Sequence, residues 1–131
     1  MGVDATRLLV QEQLAAGPEF LIGVTVDPMY GPAMTVRTGG GGVSGKSAFN
    51  MLPLRQGEAG ELASGAAARA SVELSDSELK ELTDVVERVA WLAEDLSDRI
   101  LEIEANPIMI TGGRAVAVDA LAVAKDEIGE N

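Results

Sequence analysis

Cysteine and histidine are both missing from this 131-residue sequence. Their absence excludes disulfide bonds, thiol or histidine catalysis on this chain, and zinc sites built from thiolate or imidazole ligands. A sequence without cysteine also suits a reducing compartment, and we expect a cytoplasmic location. Aromatic residues make up only 3% of the sequence, whereas apolar residues make up 47%. The core is therefore predicted to be aliphatic.

Positive charge is scarce as well. Ten Lys and Arg residues stand against 21 Asp and Glu residues, which gives a formal net charge of −11. Such a surface repels the phosphates of nucleic acids and of anionic membranes, so neither is expected as a partner. A bare nucleotide would be repelled too, unless a divalent cation accompanied it. The acidic excess fits a magnesium–nucleotide ligand, but a solvated acidic surface would explain it equally well.

Short apolar runs separated by turn residues predict an α+β fold, in which an antiparallel sheet packs with one long helix and one or two short ones. Three closely spaced strands favour an antiparallel meander. These strands are predicted at residues 7–14, 19–26 and 33–37, with a further short strand at 51–55. The whole chain is divided into strands and a glycine-rich loop at 7–55, a variable loop with a short helix at 56–74, a helix at 75–98 and a hairpin at 100–124.

The long helix has the clearest signal. Ser75 and Glu78 form the S-x-x-E pattern of a capping box, which satisfies free backbone amides at a helix start. Apolar residues then recur at steps of three and four, which predicts a face buried against a core. This stripe comprises Leu79, Leu82, Val86, Val89, Ala93, Leu96 and Ile100. Trp91 lies off its centre and is predicted to border a partner surface.

The final hairpin is predicted to turn at Gly112-Gly113, because a diglycine pair suits a two-residue loop with positive φ. Thr111 then pairs with Arg114, and counting back along both strands places Asn106 opposite Asp119. Directly opposed residues share a face of the sheet, with Cβ atoms about 5 Å apart. Glu102 and Glu104 fall on that face too, since side chains alternate with a period of two.

Asp119 stands alone in an otherwise apolar stretch, and we expect it to be buried, where its charge requires compensation. Asn106 supplies a second oxygen, and two oxygens completed by water and phosphate suit Mg²⁺, which seldom receives an all-protein cage. Alternatively, Asn106 and Pro107 form a strand end and Asp119 faces water or meets an arginine.

Several segments, in order along the chain, resemble the ATP-grasp domain of the ADP-forming acetate–CoA ligase family, with succinyl-CoA synthetase β subunits as more distant relatives. The segment Glu102-Ile103-Glu104-Ala105-Asn106-Pro107-Ile108, followed by Val116-Ala117-Val118-Asp119-Ala120, is similar to the end of that domain. The other matching segments are Val10-Gln11-Glu12-Gln13, Gly17-Pro18-Glu19-Phe20-Leu21-Ile22-Gly23-Val24, Asp27-Pro28-Met29-Tyr30-Gly31-Pro32, Ala48-Phe49 and Pro53-Leu54.

The resemblance implies that this chain is the carboxyl-terminal part of an ATP-grasp domain, with ATP and Mg²⁺ as its ligands. It implies that Asn106 and Asp119 bind the magnesium and that Glu12 and Glu19 approach the adenosine part of ATP. For Glu12 the alternative is an exposed strand carboxylate. The amino-terminal lobe, CoA-binding domain and phosphate-carrying histidine of the family are not matched. A partner or fused domain is therefore expected to supply them, and the chain alone is expected to be inactive.

Two other functions remain open. The chain could be a degenerate or split module that acts, without catalysis, through a partner. It could also be a small P-loop ATPase, since residues 40–47 match the Walker A pattern. A P-loop requires a helix directly after the glycines, but only residues 48–52 precede Pro53 and the neighbouring strands suggest a meander. A flexible glycine loop that touches phosphate through Lys46 is the favoured interpretation of this motif.

Overall fold

A computed structural model describes residues 6–39 and 47–126 of the protein. Within these ranges, two helices and six strands form an α+β fold, as predicted. No helix in the described ranges is long and apolar enough to cross a membrane. The strands are β1 (Glu19–Asp27), β2 (Gly31–Thr38), β3 (Ala48–Met51), β4 (Ile100–Thr111), β5 (Arg114–Ala117) and β6 (Ala120–Ala124), and the helices are α1 (Glu58–Arg69) and α2 (Asp76–Asp95).

All strand pairs of the sheet are antiparallel, and the order across it is β3-β2-β1-β4-β5. Strand β6 continues beyond β5 and pairs with the other half of the long strand β4. The meander predicted from the sequence is therefore present, but it consists of β1, β2 and β3. Strand β4 lies beside β1 and carries the candidate site.

One face of the sheet is buried beneath the two helices, and we call it the core face. Side chains at alternate positions of β1, β2 and β4 pack there against the alanine-rich α1 and the apolar stripe of α2. The fully buried large residues are Phe20, Ile22, Val24, Met34, Val36, Leu82, Val86, Ile108 and Ile110. The opposite face, here called the outer face, carries the remaining side chains of these strands, including the glutamates of β4.

Helix α2 confirms the predicted start. The Ser75 side chain accepts a hydrogen bond from the Glu78 amide at 3.2 Å, and the Glu78 carboxylate accepts one from the Ser75 amide at 2.8 Å. The helix ends at Asp95, slightly earlier than predicted. Ile100, which extended the apolar stripe in the sequence, begins β4 instead.

We expect Ser75→Ala to lower the free energy of unfolding by about 0.5–2 kcal/mol, because the first turn loses its side-chain acceptor. Ser64 of α1 provides a control, since its hydroxyl contacts only the Glu61 carbonyl of the same helix, at 3.4 Å. Ser64→Ala should be neutral or slightly stabilising, because alanine is the better helix former. Urea unfolding of both variants measures the difference. Equal losses would contradict a capping role for Ser75.

The first predicted strand was wrong. Residues 7–18 form no strand, and Leu8, Leu9 and Val10 are 84–91% exposed. Strand β4 already has β1 on one side and β5 and β6 on the other, so this segment finds no partner there. The segment joins the sheet only at its end, where the Ile110 amide donates to the Pro18 carbonyl at 2.8 Å.

Two boundaries in the middle of the chain also require correction. The strand predicted at residues 51–55 is β3, which ends at Met51, because Leu52 and Pro53 leave the sheet. The region 56–74 is not chiefly a variable loop, since α1 occupies twelve of its residues. Small side chains allow α1 to pack closely, and its buried face consists of Ala59, Leu62, Ala63, Ala66 and Ala67.

Candidate functional site

The register of the final hairpin is as predicted. Gly112 and Gly113 both have positive φ angles, of 58° and 73°, and Thr111 pairs with Arg114. The same register continues past β5 into β6, where Ala105 pairs with Ala120. The turn therefore fixes which residues meet from Thr111 back to Glu102, where the pairing of β4 with β6 shifts by one residue.

Asn106 and Asp119 meet at the junction between β5 and β6. The backbone amide of Asn106 donates a 2.9 Å hydrogen bond to the backbone carbonyl of Asp119. The backbone amide of Val118 donates another, also of 2.9 Å, to the Pro107 carbonyl. The second predicted strand of the hairpin is consequently divided at residues 118–119 rather than continuous. These two backbone contacts hold Asn106 and Asp119 side by side.

The alternation of β4 changes phase at Asn106-Pro107. Ile103 and Ala105 face the core before this point, whereas Ile108 and Ile110 face it afterwards. The pairing of β4 with β1 shifts by one residue at the same place, which is a β-bulge. Bulges redirect side chains and are frequent beside functional sites. Here the bulge leaves Asn106 exposed while the residues on both sides of it remain anchored in the sheet.

The side chains of Asn106 and Asp119 are both exposed, so the expectation that Asp119 is buried was wrong. Strand β6 lies at the sheet edge beyond the cover of the helices, and all five of its residues are exposed. One Asp119 oxygen accepts from the Ala120 amide at 2.8 Å, and the Asn106 amide nitrogen donates to Glu104 at 3.1 Å. Among the described residues, the other Asp119 oxygen and the Asn106 amide oxygen have no hydrogen-bond donor.

A groove of about 290 Å³ lies beside this pair. One wall is the extended segment at residues 11–14, and the other is formed by Met109, Val116 and Val118 of the hairpin. Val118 directly precedes Asp119 in the chain, so one end of the groove lies next to the Asn106–Asp119 junction of the hairpin. Mixed apolar and polar lining of this kind is typical of sites for small organic ligands.

Glu12 lies in the wall of this groove and is exposed. Its carboxylate is 3.6 Å from the Arg114 guanidinium, and both side chains are more than half exposed. Such a pair contributes little to stability, since water screens it. Glu12 therefore reaches the groove from an extended segment that is not part of the sheet. Its contact with Arg114 links this segment to the hairpin turn.

Glu19 lies one strand away from the groove, at the start of β1. It pairs with Met109 of the groove wall on one side, and its carbonyl accepts a 2.6 Å hydrogen bond from the Gly39 amide on the other. Glu19 is thus half-buried at the foot of the glycine-rich loop. Lys46 and most of the Walker-like segment lie outside the described residues.

The residue directly after that segment argues against a P-loop. Ser47 is followed by strand β3, where a P-loop requires a helix whose amino terminus faces the phosphate. The three apolar groove residues, Met109, Val116 and Val118, were not identified from the sequence. The predicted hairpin register could have identified two of them, because it pairs Met109 directly with Val116.

Comparison with known proteins decides the family. The ATP-grasp domain family matches residues 2–123, which is most of the chain. This chain belongs to the ATP-grasp family. The resemblance noted in the sequence is thereby confirmed, and the antiparallel sheet with its two helices agrees with part of an ATP-grasp fold.

Relatives of this ATP-grasp chain include β subunits of ADP-forming acetate–CoA ligases. It is 30% identical over 129 residues to the β subunit of acetate–CoA ligase [ADP-forming] II from Pyrococcus furiosus, with 90% of this chain and 53% of the relative covered. The crystal structure of PH1788 from Pyrococcus horikoshii OT3 superposes with a TM-score of 0.77 at 28% identity, with 88% of this chain and 52% of that one covered. The chain therefore spans about half the length of the relatives it matches.

A solved structure with lower sequence identity shares the fold. The dinucleotide-forming acetyl-coenzyme A synthetase 1 of Ca. Korarchaeum cryptofilum, in complex with coenzyme A and Mg-AMPPCP, superposes with a TM-score of 0.71 at 23% identity, with 85% of this chain and 55% of that one covered.

Asn106 and Asp119, at the hairpin junction, carry oxygen atoms of the type that binds magnesium. Amide and carboxylate oxygens are the hard ligands that Mg²⁺ prefers, and both side chains retain an oxygen without a donor. In the described part of the chain, no three Asp or Glu residues form a cluster able to hold a metal by themselves. A cation at Asn106 and Asp119 would thus depend on water and nucleotide oxygens for its other ligands, as Mg²⁺ in nucleotide sites usually does.

Proposed function

We propose that this chain forms the carboxyl-terminal part of the nucleotide site of an ADP-forming acyl-CoA ligase. In this proposal Asn106 and Asp119 bind the magnesium of ATP, and the groove beside them receives the adenosine part. The observation that carries it is the hairpin register, which brings the backbones of the exposed residues Asn106 and Asp119 into contact. Membership of the ATP-grasp family and ligase β-subunit relatives support it.

The positions of the groove and of Asp119 on the hairpin suit a nucleotide bound in an extended conformation. A base between residues 11–14 and the apolar pair Met109 and Val116 would leave its phosphates to follow the hairpin towards Asp119. Glu12, in the groove wall, has the acceptor oxygens that bind ribose hydroxyls. Glu19 lies beside Met109, and we assign it to the adenosine part as well.

The negative charge of the chain explains why ATP is proposed to bind together with a magnesium ion. The chain carries a net charge of −11, and two of its carboxylates, Glu102 and Glu104, lie on the outer face close to the proposed phosphate path. Bound Mg²⁺ supplies positive charge that reduces this repulsion and stabilises negative charge on the phosphates. Asn106 and Asp119 contribute by holding oxygen ligands at a fixed place on the sheet.

The remaining parts of the ligase are proposed to come from a partner or from further domains. The chain spans about half of its β-subunit relatives, so we assign to it ATP and magnesium positioning and not the complete ligation. A cytoplasmic location remains a prediction.

Calorimetry of ATP binding, with and without Mg²⁺, tests the proposal. We expect binding that requires Mg²⁺, and we expect Asp119→Ala or Asn106→Ala to weaken it about 10-fold or more, because each removes one of the two protein oxygens. Asp98→Ala is the matched control, since it removes the same charge from an exposed loop position. The proposal would be refuted if the affinity for ATP were the same with and without Mg²⁺ and the same in Asp119→Ala as in the wild type.

The half-length match also favours a second candidate, a split module that binds nucleotide only together with a partner. It predicts no ATP binding by the chain alone and Mg²⁺-dependent binding once an amino-terminal ATP-grasp lobe is added. Asp119→Ala should then abolish the restored binding. A P-loop predicts the opposite pattern, in which Lys46→Ala abolishes binding and Asp119→Ala does not.

A further inference from the structure

Arg114 directly follows the diglycine turn, and its positive charge meets a residue from the other end of the sequence. A guanidinium nitrogen of Arg114 lies 3.6 Å from a carboxylate oxygen of Glu12. The described part of the chain contains one other ion pair, which joins Lys80 to Asp84 within helix α2. Of these two, the pair formed by Arg114 and Glu12 is therefore the one that connects distant parts of the chain.

The ion pair joins the two walls of the groove at the end nearest the turn. Side chains alternate along a strand, so Arg114 shares the outer face with Val116, which lines one wall. Glu12 belongs to the opposite wall. Asp119 lies five residues beyond Arg114, which is about 15 Å along an extended chain. Arg114 is therefore remote from the proposed magnesium ion and its phosphates.

The segment that carries Glu12 is not held in place by the sheet. It forms no strand, and its attachment to β4 is a 2.8 Å hydrogen bond from the Ile110 amide to the Pro18 carbonyl. Pro18 is six residues away from Glu12, so this bond leaves the position of the Glu12 carboxylate undetermined. The contact with Arg114 acts directly on that carboxylate and brings it against the hairpin.

We propose that Arg114 is a positioning residue, which holds the Glu12 carboxylate where it accepts hydrogen bonds from the ribose hydroxyls of the nucleotide. This inference rests on the proposed function, in which the groove receives the adenosine part of ATP. Arg114 acts through Glu12 and does not touch the phosphates, which lie towards Asp119. The consequence is a preference for nucleotides that carry ribose hydroxyls over nucleotides that lack them.

The distance between the two charged groups determines how the contact works. A separation of 3.6 Å is too long for a hydrogen bond, but it allows Coulomb attraction. Both side chains are more than half exposed, so dissolved salt screens this attraction. The role therefore requires a positive charge at residue 114 and not the shape of a guanidinium group, and a lysine at this position should replace arginine.

Three variants separate this role from the alternatives. Arg114→Ala removes the charge, and Arg114→Lys keeps it. Arg88→Ala is the matched control, because Arg88 is an exposed arginine of α2, on the other side of the sheet, and has no ion pair within the described residues. Urea unfolding of each variant verifies that the fold is retained.

The first measurement is the mobility of residues 11–14 without nucleotide, from ¹⁵N relaxation of their backbone amides. We expect Arg114→Ala to lower their order parameters to below about 0.6, the range of flexible segments. Wild type in 1 M NaCl, a concentration at which exposed charges about 3 Å apart are already screened, should show the same decrease. Arg114→Lys and Arg88→Ala should resemble wild type at low salt. Order parameters in Arg114→Ala equal to those of wild type would overturn the inference.

The second measurement compares the affinity for ATP with that for 2′,3′-dideoxy-ATP, which lacks both ribose hydroxyls, at saturating Mg²⁺. We expect wild type, Arg114→Lys and Arg88→Ala to prefer ATP about 10-fold, as a hydrogen bond to a charged acceptor provides. Arg114→Ala should reduce this preference to about 3-fold or less. In the Glu12→Ala background, which itself removes the preference, Arg114→Ala should change nothing further.

Two results of this comparison would overturn the role of Arg114. If Arg114→Ala weakens the binding of both nucleotides equally, the guanidinium acts on the phosphates through its charge and not on the sugar through Glu12. If Arg114→Ala lowers the preference for ATP as strongly in the Glu12→Ala background as in the wild-type background, the two residues act independently.

The inference and the proposed function fail in different ways. If Asp119→Ala abolishes Mg²⁺-dependent ATP binding and Arg114→Ala leaves the preference for ATP unchanged, the proposed function stands and the role of Arg114 is refuted. If wild type and Asp119→Ala respond identically to Mg²⁺, with the amino-terminal lobe supplied, the proposed function is refuted and the role of Arg114 with it.

Discussion

Phe20→Ala is expected to lower the free energy of unfolding by about 3–5 kcal/mol, which is the usual cost of removing a buried aromatic ring. Phe20 is fully buried in β1, the strand between β2 and β4, where it pairs with Thr38 and Ile108. All four aromatic residues lie in the described part of the chain, and the other three are 60–74% exposed. No second aromatic ring is therefore available to fill the cavity that the variant leaves.

Phe49→Ala provides the matched control, because the chain has only two phenylalanines and this one is 61% exposed on the short strand β3. Its loss should change the free energy of unfolding by no more than about 0.5 kcal/mol. Urea unfolding followed by circular dichroism compares the two. Similar costs for the two substitutions would show that β1 is not the centre of the core.

Gly17→Ala is expected to destabilise the fold by about 1–3 kcal/mol, because the new methyl group has no space. A Cβ at Gly17 would overlap the backbone carbonyl oxygen of Ile110 and lie 3.1 Å from the carbonyl carbon. Backbone atoms of a central strand cannot move aside as a flexible side chain does. The segment before β1 must shift instead, and it carries Glu12 and the wall of the groove. We therefore also expect weaker ATP binding in this variant.

Gly23→Ala, six residues further along the chain in β1, is the matched control. It separates steric overlap from the general effect of replacing a glycine by alanine. Its Cβ would meet only a Leu21 methyl group at 3.7 Å, an ordinary contact. The substitution should be neutral or slightly stabilising, since alanine has less conformational freedom in the unfolded chain. A Gly17→Ala variant as stable as Gly23→Ala, with unaltered ATP affinity, would disprove close packing of this segment on β4.

The hairpin and the long helix could be predicted from the sequence because local residues determine them. Gly112 and Gly113 fix the turn, and the turn fixes the partner of Asn106. Ser75 and Glu78 mark the start of α2 in the same local way. The bulge at Asn106-Pro107 could not be predicted, since it depends on how β4 pairs with β1 on its other side.

The errors arose where pairing between distant parts of the chain decides the outcome. Residues 7–14 have the composition of a strand, but both sides of β4 are already occupied. Helix α1 was underestimated because alanines give a weak apolar signal, although in the structure they allow close packing. Asp119 was expected inside because its neighbours are apolar, but strand β6 at the sheet edge is exposed on both faces.

The diglycine turn has a consequence for how this domain tolerates change in length. Insertion of a single residue at the tip would slide the outgoing strand by one position and give Asn106 a different neighbour from Asp119. Every side chain beyond the tip would also exchange faces. Surface loops usually accept insertions readily, but here the number of residues in the loop decides which residue lies beside Asn106. Natural or engineered variation in length is therefore expected elsewhere, for example near residue 71, in the connection between the two helices.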